Sequence, residues 1–210
     1  MTETKMHRFL KDVGMAFLFN QNCFLVATEI HIIYGRERID TKLDNKQIID
    51  VCGVGEKYIP EHLRKYKYVP WEHNGKTTEC KMSDGPNKFN ITRGIEVKVS
   101  RTDFKNGFCC SGCNFNYIMV PEGLVYCNEV PKEVGVIKVD VNNFKSQFGA
   151  LSGFSLQGVR VVRKPKFKQV KQYVIDFAIS DIAKRATRQL MVQVAEKLAA
   201  ASNLSERACS

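Results

Sequence analysis

The sequence predicts an α/β protein in which a cluster of strands has a helix before it and a long helix after it. Apolar residues recur at helical spacing near the N terminus, and apolar, strand-like runs follow over residues 23–140. Helical spacing returns from about 168 to 201. A helix ahead of clustered strands, with further strands after a short connection, is typical of an α/β or α+β core.

The first helix is predicted from apolar residues spaced three or four apart, which share one helical face. These residues are Met6, Phe9, Leu10, Val13 and Phe17. The helix should end near residues 20–22, where polar residues that favour turns follow. A first strand is predicted over 23–33, interrupted by Glu29. A second apolar run, 48–52, contains Asp50 and is followed by two glycines.

Residues 56–92 mix prolines, lysines and tyrosines and predict an irregular excursion with a short helix near 60–66. Apolar and polar residues alternate over 94–100, which indicates a half-buried strand. Two further strands are predicted at 116–120 and 134–140.

The C-terminal part of the chain follows these strands. Residues 144–158 contain glycine and serine and predict a loop or short helix. We expect a core over 1–158, with an insertion at about 56–92, followed by a basic linker and C-terminal helix over 159–210. Long apolar C-terminal helices often pair, so this helix is a candidate contact for a homodimer.

The net charge of +10 is concentrated in one segment. Residues 160–188 hold nine lysines and arginines and only two acids, and therefore contribute most of the excess. A basic cluster of this kind suits a polyanion, most simply the phosphates of a nucleic acid, or else it is a solvated helix and linker.

Composition also limits the class of protein. A hydrophobic content of 44% excludes full disorder. No stretch approaches the roughly 18 consecutive apolar residues of a membrane span, so we expect no membrane association. The polar start, residues 1–5, does not resemble a signal peptide, and we expect a cytoplasmic protein. Its eight cysteines are then expected to be mainly free thiols.

The strand at 94–100 carries the most informative pattern. Because side chains alternate between the two faces of a strand, Ile95 and Val97 point to one face, while Glu96 and Lys98 point to the other. Glu29 and Asp50 also interrupt apolar strand-like runs. If these strands are neighbours, three carboxylates and a lysine converge.

Such a cluster of carboxylates favours a hard divalent cation, Mg²⁺ or Mn²⁺, because converging negative charges need compensation. A bound metal ion would supply an attacking water and stabilise charge on a phosphate, and Lys98 would orient that water or stabilise the transition state. The residues therefore predict metal-dependent hydrolysis of a phosphodiester.

The same residues resemble a known family. Asp50, followed by the string Gly94–Phe104 with Glu-Val-Lys-Val-Ser-Arg-Thr-Asp-Phe, resembles the PD-(D/E)XK, or restriction-endonuclease-like, nuclease superfamily. The segments Asn116–Leu124 and Val134–Asp140 are similar to a branch related to MmcB-type DNA repair proteins. The resemblance covers roughly residues 20–140.

The resemblance implies a restriction-endonuclease-like core of the αβββαβ type, with a mixed central sheet flanked by helices, and magnesium-dependent cleavage of DNA. It implies that Asp50 and Glu96 are metal ligands, that Lys98 is the catalytic lysine and that Glu29 is an auxiliary acid. Asp40 is a rival for the motif aspartate. About 45 residues separate Asp50 from Glu96, a longer distance than the family's usual hairpin.

Several basic residues are candidates for contacts with DNA, RNA not being excluded. They are Arg101, Arg163, Lys164, Lys166 and Lys168. The sequence leaves open endonuclease or exonuclease action, and it leaves open a role in DNA repair or in the processing of phage and mobile elements.

Two alternatives remain at this stage. One is a nucleic-acid-binding module that keeps the nuclease fold without cleavage. The other is a zinc-stabilised interaction protein centred on Cys109, Cys110 and Cys113, whose spacing is that of a zinc knuckle and whose remaining ligands would come from Cys127, Cys80 or His73.

Overall fold

A mixed six-stranded sheet forms the core of the computed structural model, which describes residues 3–33, 46–61, 64–73, 76–83, 85–107, 112–150 and 152–208. Three helices accompany the strands: α1 (Lys5–Asn20), α2 (Arg101–Lys105) and α3 (Gln172–Ala208). Six strands form the main sheet: β1 (Cys23–Ile33), β2 (Lys46–Tyr58), β5 (Lys88–Val97), β6 (Phe115–Pro121), β7 (Gly135–Val139) and β10 (Val159–Arg163). Four strands form two separate hairpins: β3 (Tyr66–His73) with β4 (Lys76–Ser83), and β8 (Lys145–Gly149) with β9 (Gly153–Gln157).

The strand order of the main sheet is β1-β2-β5-β6-β7-β10. The first three strands are antiparallel neighbours, β5, β6 and β7 run parallel, and β10 returns antiparallel to β7. The prediction of an α/β protein with a mixed central sheet and a long C-terminal helix is confirmed.

Helix α1 covers one face of the sheet. Its N-cap Thr4 accepts a hydrogen bond from the backbone N–H of His7 at 3.2 Å, which satisfies one of the free donors of the first turn. Leu10 and Phe17 pack in one cluster with Val51 of β2. Gly14 allows the helix to lie close to β2, since a Cβ atom at this position would be only 3.1 Å from Val51 Cγ2.

Helix α3 covers the opposite face with its first half. Val174 and Ile182 pack against Ala27 and Ile30 of β1. The carboxylate of Asp181 accepts a hydrogen bond from the backbone N–H of His31 at 3.0 Å and fixes the helix on β1. Beyond residue 188 the helix has no buried residue among the side chains that are described.

A third cluster fills the core beneath α2, around Ile118 of β6 and Val136 of β7. Arg101 and Arg163 stabilise this region. The guanidinium of Arg101 donates two hydrogen bonds to Glu129, at 2.9 and 2.7 Å, and that of Arg163 donates to four backbone carbonyl groups between residues 127 and 134.

Three segments differ from the sequence prediction. Residues 56–92 are not irregular, because β2 continues to Tyr58, β5 already begins at Lys88, and the hairpin β3–β4 lies between them. Residues 144–158 contain the hairpin β8–β9 rather than a loop or helix. Residues 159–163, expected to start a linker, form the edge strand β10. Lysines interrupt the strand period in β3–β4, glycines do so in β8–β9, and two arginines do so in β10.

None of the described helices combines the length and the apolar character that a membrane-spanning helix requires.

Candidate active site

Three predicted acids lie in one row across three neighbouring strands. Thr28 pairs with Val51 and Ile30 pairs with Ile49, so the intervening Glu29 lies opposite Asp50. Val51 pairs with Ile95, and continuing this register by one residue places Asp50 opposite Glu96. The topology therefore brings together Glu29, Asp50 and Glu96, of which the first and last are 67 positions apart in the sequence.

The strands are irregular at this row. Ile49 and Cys52 pack under α3, whereas Val51 packs under α1, so the alternation of β2 breaks at Asp50. Opposite it, Glu29 has a φ of 57°, in the left-handed region that a residue with a side chain rarely adopts. Local breaks of this kind redirect side chains, and they are frequent beside active sites.

Asp50 is held by β5 and by α1. Its Oδ2 atom accepts a hydrogen bond from the backbone N–H of Val97 at 2.8 Å, which fixes the carboxylate at the end of β5. Its Oδ1 atom lies 3.5 Å from His7 Nε2 and 3.7 Å from Lys11 Nζ, both on α1. Oδ2 of Asp50 is thus bound to the backbone of β5, and Oδ1 faces the basic side chains of α1.

Glu96 has two oxygens in different environments. Oε1 lies 3.3 Å from Lys98 Nζ, while the buried Oε2 has no hydrogen-bond partner among the described residues. Burial, reinforced by the negative charge of Asp50, raises the pKa of Glu96 to about 7. An unpartnered buried carboxylate oxygen is costly, and a cation at that atom would remove the cost.

Lys98 lies between two carboxylates. Its Nζ atom is 3.3 Å from Glu96 Oε1 and 3.3 Å from Asp103 Oδ1, and the residue is 8% exposed. Burial opposes the charge of this ammonium group, but Glu96 and Asp103 outweigh burial and raise the pKa of Lys98. Lys98 is therefore cationic and held by two acids beside the row.

Asp103 also positions the end of β5. Its second oxygen accepts a hydrogen bond from the backbone N–H of Val99 at 3.1 Å. The N-cap of α2, Ser100, accepts a hydrogen bond from the backbone N–H of Asp103 at 3.1 Å. Residues 99–103 thus fold back toward β5, and the carboxylate of Asp103 contacts the ammonium group of Lys98.

Lys11 is a basic residue of the cleft that the sequence pattern did not predict. Its Nζ atom lies 2.9 Å from Glu3, 3.1 Å from Glu29 and 3.7 Å from Asp50. Burial opposes its charge, yet these three acids raise the pKa of Lys11. Glu3, His7 and Lys11 recur every four residues beside the apolar face of α1, and this spacing was the signal that marked them as neighbours.

These side chains line a cleft of about 380 Å³. Five carboxylates, from Glu3, Glu29, Asp50, Glu96 and Asp103, face two ammonium groups there. Among the residues that the structure describes, no three acids, histidines or cysteines are grouped closely enough to hold a metal ion by themselves.

The residues nevertheless suit one type of cation. Mg²⁺ commonly binds through one or two carboxylates and keeps several waters. The unpartnered oxygen of Glu96 and the neighbouring Asp50 carboxylate meet that requirement, and their hard oxygen donors match Mg²⁺ or Mn²⁺.

The remaining predicted residues lie elsewhere. Lys164, Lys166 and Lys168 are exposed beside the start of β6, where the backbone N–H of Lys168 donates to the carbonyl of Asn114 at 2.8 Å. The acidic row lies toward the other end of β5. Arg101 and Arg163, also predicted to contact nucleic acid, make the hydrogen bonds within the fold described above.

The predicted zinc ligands are divided. Cys109 and Cys110 lie outside the described residues, as does Asp40, the rival motif aspartate. Cys113 is fully buried under α3, with its Sγ atom 3.6 Å from that of Cys52. The hydrogen bond with the Cys113 thiol, followed by burial, raises the pKa of Cys52 well above its ordinary range, which favours a protonated core thiol.

Comparison with known proteins adds little to this geometry. No family model matches the chain, and no curated protein matches it. A similar solved structure is the SPO1766 protein of unknown function from Silicibacter pomeroyi, with 20% sequence identity and a TM-score of 0.37. The similarity covers 62% of this chain and 82% of that one, and at this level it carries no information about function.

Proposed function

We propose that this protein is a metal-dependent nuclease that hydrolyses phosphodiester bonds in DNA at the cleft between α1 and the end of β5. One observation carries the proposal: Asp50 and Glu96 adjoin across two strands, with Lys98 beside them and one buried Glu96 oxygen unpartnered. A carboxylate pair beside a lysine is the set of groups that this hydrolysis needs.

The order of elements supports the proposal. Helix α1, the antiparallel strands β1, β2 and β5, the short helix α2 and the parallel strand β6 follow one another as αβββαβ, the order that the PD-(D/E)XK resemblance implies. The hairpin β3–β4 is inserted between the second and third strands and accounts for the distance between Asp50 and Glu96.

In this proposal Asp50 and Glu96 would hold Mg²⁺ or Mn²⁺, with Glu29 as the auxiliary acid beside them. When bound, the metal ion supplies positive charge to the phosphate and lowers the pKa of a water. Lys98 orients the attacking water and stabilises the charge that develops on the phosphate oxygens. Lys11 neutralises Asp50 and Glu29 and holds α1 against the row.

We expect Lys164, Lys166 and Lys168, which are exposed, to contact the phosphate backbone of the nucleic acid. Arg101 and Arg163 are less suitable because their guanidinium groups make hydrogen bonds within the protein. Replacing the three lysines by glutamine should reduce the slope of log affinity against log salt by about 0.9 per lost phosphate contact. An unchanged slope in a titration over several salt concentrations would remove these lysines from the interface.

The test is cleavage of duplex, single-stranded and branched DNA, with RNA as a further substrate, in the presence of Mg²⁺ or Mn²⁺. We expect Glu96→Ala and Lys98→Ala to lower the rate at least about 100-fold while binding is retained. Lys132→Ala removes an exposed lysine away from the cleft and is the matched control.

Other outcomes favour other classes of protein. Binding without cleavage in the wild type favours a non-catalytic nucleic-acid-binding module. Stoichiometric zinc in the purified protein favours a zinc-stabilised interaction protein. If Lys98→Ala cleaves every substrate as fast as the wild type, the proposal that this cleft is the active site is wrong.

A further inference from the structure

The hairpin β3–β4 is a surface that the nuclease proposal does not explain. Its two strands pair with each other and form a separate two-stranded sheet between β2 and β5. None of its described side chains is buried. A two-stranded hairpin without a core is only marginally stable in water, so a partner that packs on it would stabilise it.

Tyrosines and lysines dominate this hairpin and the strand ends that carry it. Tyr58 and Tyr68 are 63% and 64% exposed, which is high for aromatic side chains of this size. Lys88 Nζ lies 4.7 Å from the centroid of the Tyr58 ring, and Lys81 Nζ lies 3.9 Å from that of Tyr66. We call this surface, formed by Tyr58, Lys88 and β3–β4, the tyrosine–lysine arm.

The register of the arm places its aromatic rings in a row. Tyr66 and Tyr68 are two residues apart on β3 and therefore share one face, about 6.6 Å apart at the rise of a strand. Lys81 pairs with Tyr68 across the hairpin and joins them on that face. The spacing of the tyrosines is close to two steps of the 3.4 Å repeat of stacked bases.

Aromatic rings beside ammonium groups have the chemistry that binds unpaired nucleotides. Bases stack on exposed rings while lysines neutralise the neighbouring phosphates, and this mode tolerates any sequence. Bases within a duplex are already stacked and paired, so their faces are not available to these tyrosines. A surface of this kind would therefore favour single-stranded over double-stranded nucleic acid.

The arm lies at a definite distance from the acidic row. Lys57, at the base of the arm, is seven residues from Asp50 along β2, which corresponds to about 23 Å at 3.3 Å per residue. A polynucleotide bound at the cleft has the length to reach the arm within about seven stacked steps of 3.4 Å.

We infer that the tyrosine–lysine arm binds unpaired nucleotides of the polynucleotide whose phosphodiester lies at the acidic cleft. This inference rests on the proposed function for the cleft and adds the class of substrate, a nucleic acid with a single-stranded segment.

The experiment measures binding without cleavage, in EDTA, with the full chain. The probes are a fluorescein-labelled 20-nucleotide oligo-dT, the matching oligo-U and a 20-base-pair duplex, read by fluorescence anisotropy. We expect the double variant Tyr58→Leu/Tyr68→Leu to bind oligo-dT at least 10-fold more weakly and the duplex within about 2-fold of the wild type. Tyr126→Leu is the matched control, because Tyr126 is 72% exposed near the end of β6, outside the arm.

A second variant tests the lysines of the arm. Lys81→Gln keeps the rings, and it should weaken binding several-fold even if the tyrosine variants fail to fold.

The outcomes separate this inference from the proposed function. If the tyrosine variant and Lys81→Gln bind oligo-dT like the wild type, the inference is wrong whether or not the protein cleaves DNA. If binding depends on the arm but no metal supports cleavage, the arm stands and the nuclease proposal fails. If the wild type binds none of the probes in EDTA, the inference is wrong, and the cleavage assay with Mg²⁺ or Mn²⁺ decides the nuclease proposal separately.

Discussion

At the scale of single residues, the burial of the Glu96 carboxylate in the cleft destabilises the folded state when this group is charged. One oxygen contacts Lys98, and the other is buried without a hydrogen bond among the described residues. Burial and the charge of Asp50 raise the pKa of this carboxyl group to about 7, against 4.5 in the unfolded chain. The folded protein therefore binds this proton more tightly than the unfolded protein does.

The pH dependence of stability follows from that difference. The contribution of Glu96 is fully present below pH 4.5 and is lost as the pH rises to about 7, because the folded state then has to hold a buried charge. Relative to Glu96→Gln, the wild type should lose up to about 3 kcal/mol of unfolding free energy across this interval. Urea denaturation at pH 4.5, 6 and 8 measures it.

A bound metal ion should stabilise the folded protein most at high pH, where Glu96 is charged. Protons compete with Mg²⁺ or Mn²⁺ for Glu96, so saturating metal should raise the melting temperature more at pH 8 than at pH 5. Glu96→Gln should show little response at either pH. Parallel pH profiles of the wild type and Glu96→Gln without metal would contradict the raised pKa.

The sequence identified part of the cleft at this scale. Glu29, Asp50 and Glu96 were visible because a charged residue inside an apolar strand-like run breaks the pattern. Lys11 and His7 were missed because they belong to a helix whose polar side looks solvated until the topology shows what it faces. The double contact of Asp103 with Lys98 and Val99 depends on a local fold that spacing alone does not reveal.

At the scale of elements, helix α3 has two different halves. The first half buries Ile182 completely against β1, whereas Leu190 in the second half is 58% exposed. Regular helical spacing predicted the helix as a whole, but spacing does not show which turns have a sheet beneath them.

Two truncations separate the halves of α3. Ile182→Ala should cost about 2–5 kcal/mol of stability, because it leaves a cavity under the docked half. Val192→Ala truncates a side chain of the distal half that is 57% exposed, and it should change stability by less than about 0.5 kcal/mol. Thermal or urea unfolding of both variants measures the difference, and equal effects would show that α3 is not docked on β1.

The strands that the sequence missed share a physical cause. Hairpins β3–β4 and β8–β9 have few buried side chains, so the alternation of apolar and polar residues that reveals a half-buried strand is weak in both. Strand β10 is an edge strand, and its two arginines conceal its apolar residues. Sequence pattern therefore predicts the strands that line the core better than those that do not.

At the scale of the whole molecule, positive and negative charge are segregated. The net charge is +10, yet five carboxylates face two ammonium groups in the cleft. Lysines lie on the arm and beside the start of β6. A polyanion would be attracted by these basic surfaces, and a divalent cation would be needed before its phosphate could approach the cleft.

Self-association is a second property at this scale. Leu190, Met191 and Val194 form an exposed apolar stripe on the distal half of α3, which supports the proposal of a homodimer through this helix. Leu190→Gln with Val194→Gln should convert a dimer into a monomer without changing the melting behaviour of the docked half. Sedimentation velocity at several concentrations measures the state, and a wild type that remains monomeric contradicts the proposal.

The backbone of Glu29 is in the left-handed conformation, which lowers the stability of the fold, while the carboxylate of the same residue has a proposed role in catalysis. A left-handed residue with a side chain costs about 1–2 kcal/mol, a cost that glycine does not incur. Glu29→Gly should therefore be more stable than Glu29→Ala by about 1 kcal/mol, the reverse of the usual order in a strand, and both variants lack the carboxylate equally. Melting temperatures about 2–4 °C apart would show it. Selection for thermostability alone would then favour glycine at position 29, whereas, on the nuclease proposal, a screen that also requires cleavage would retain glutamate.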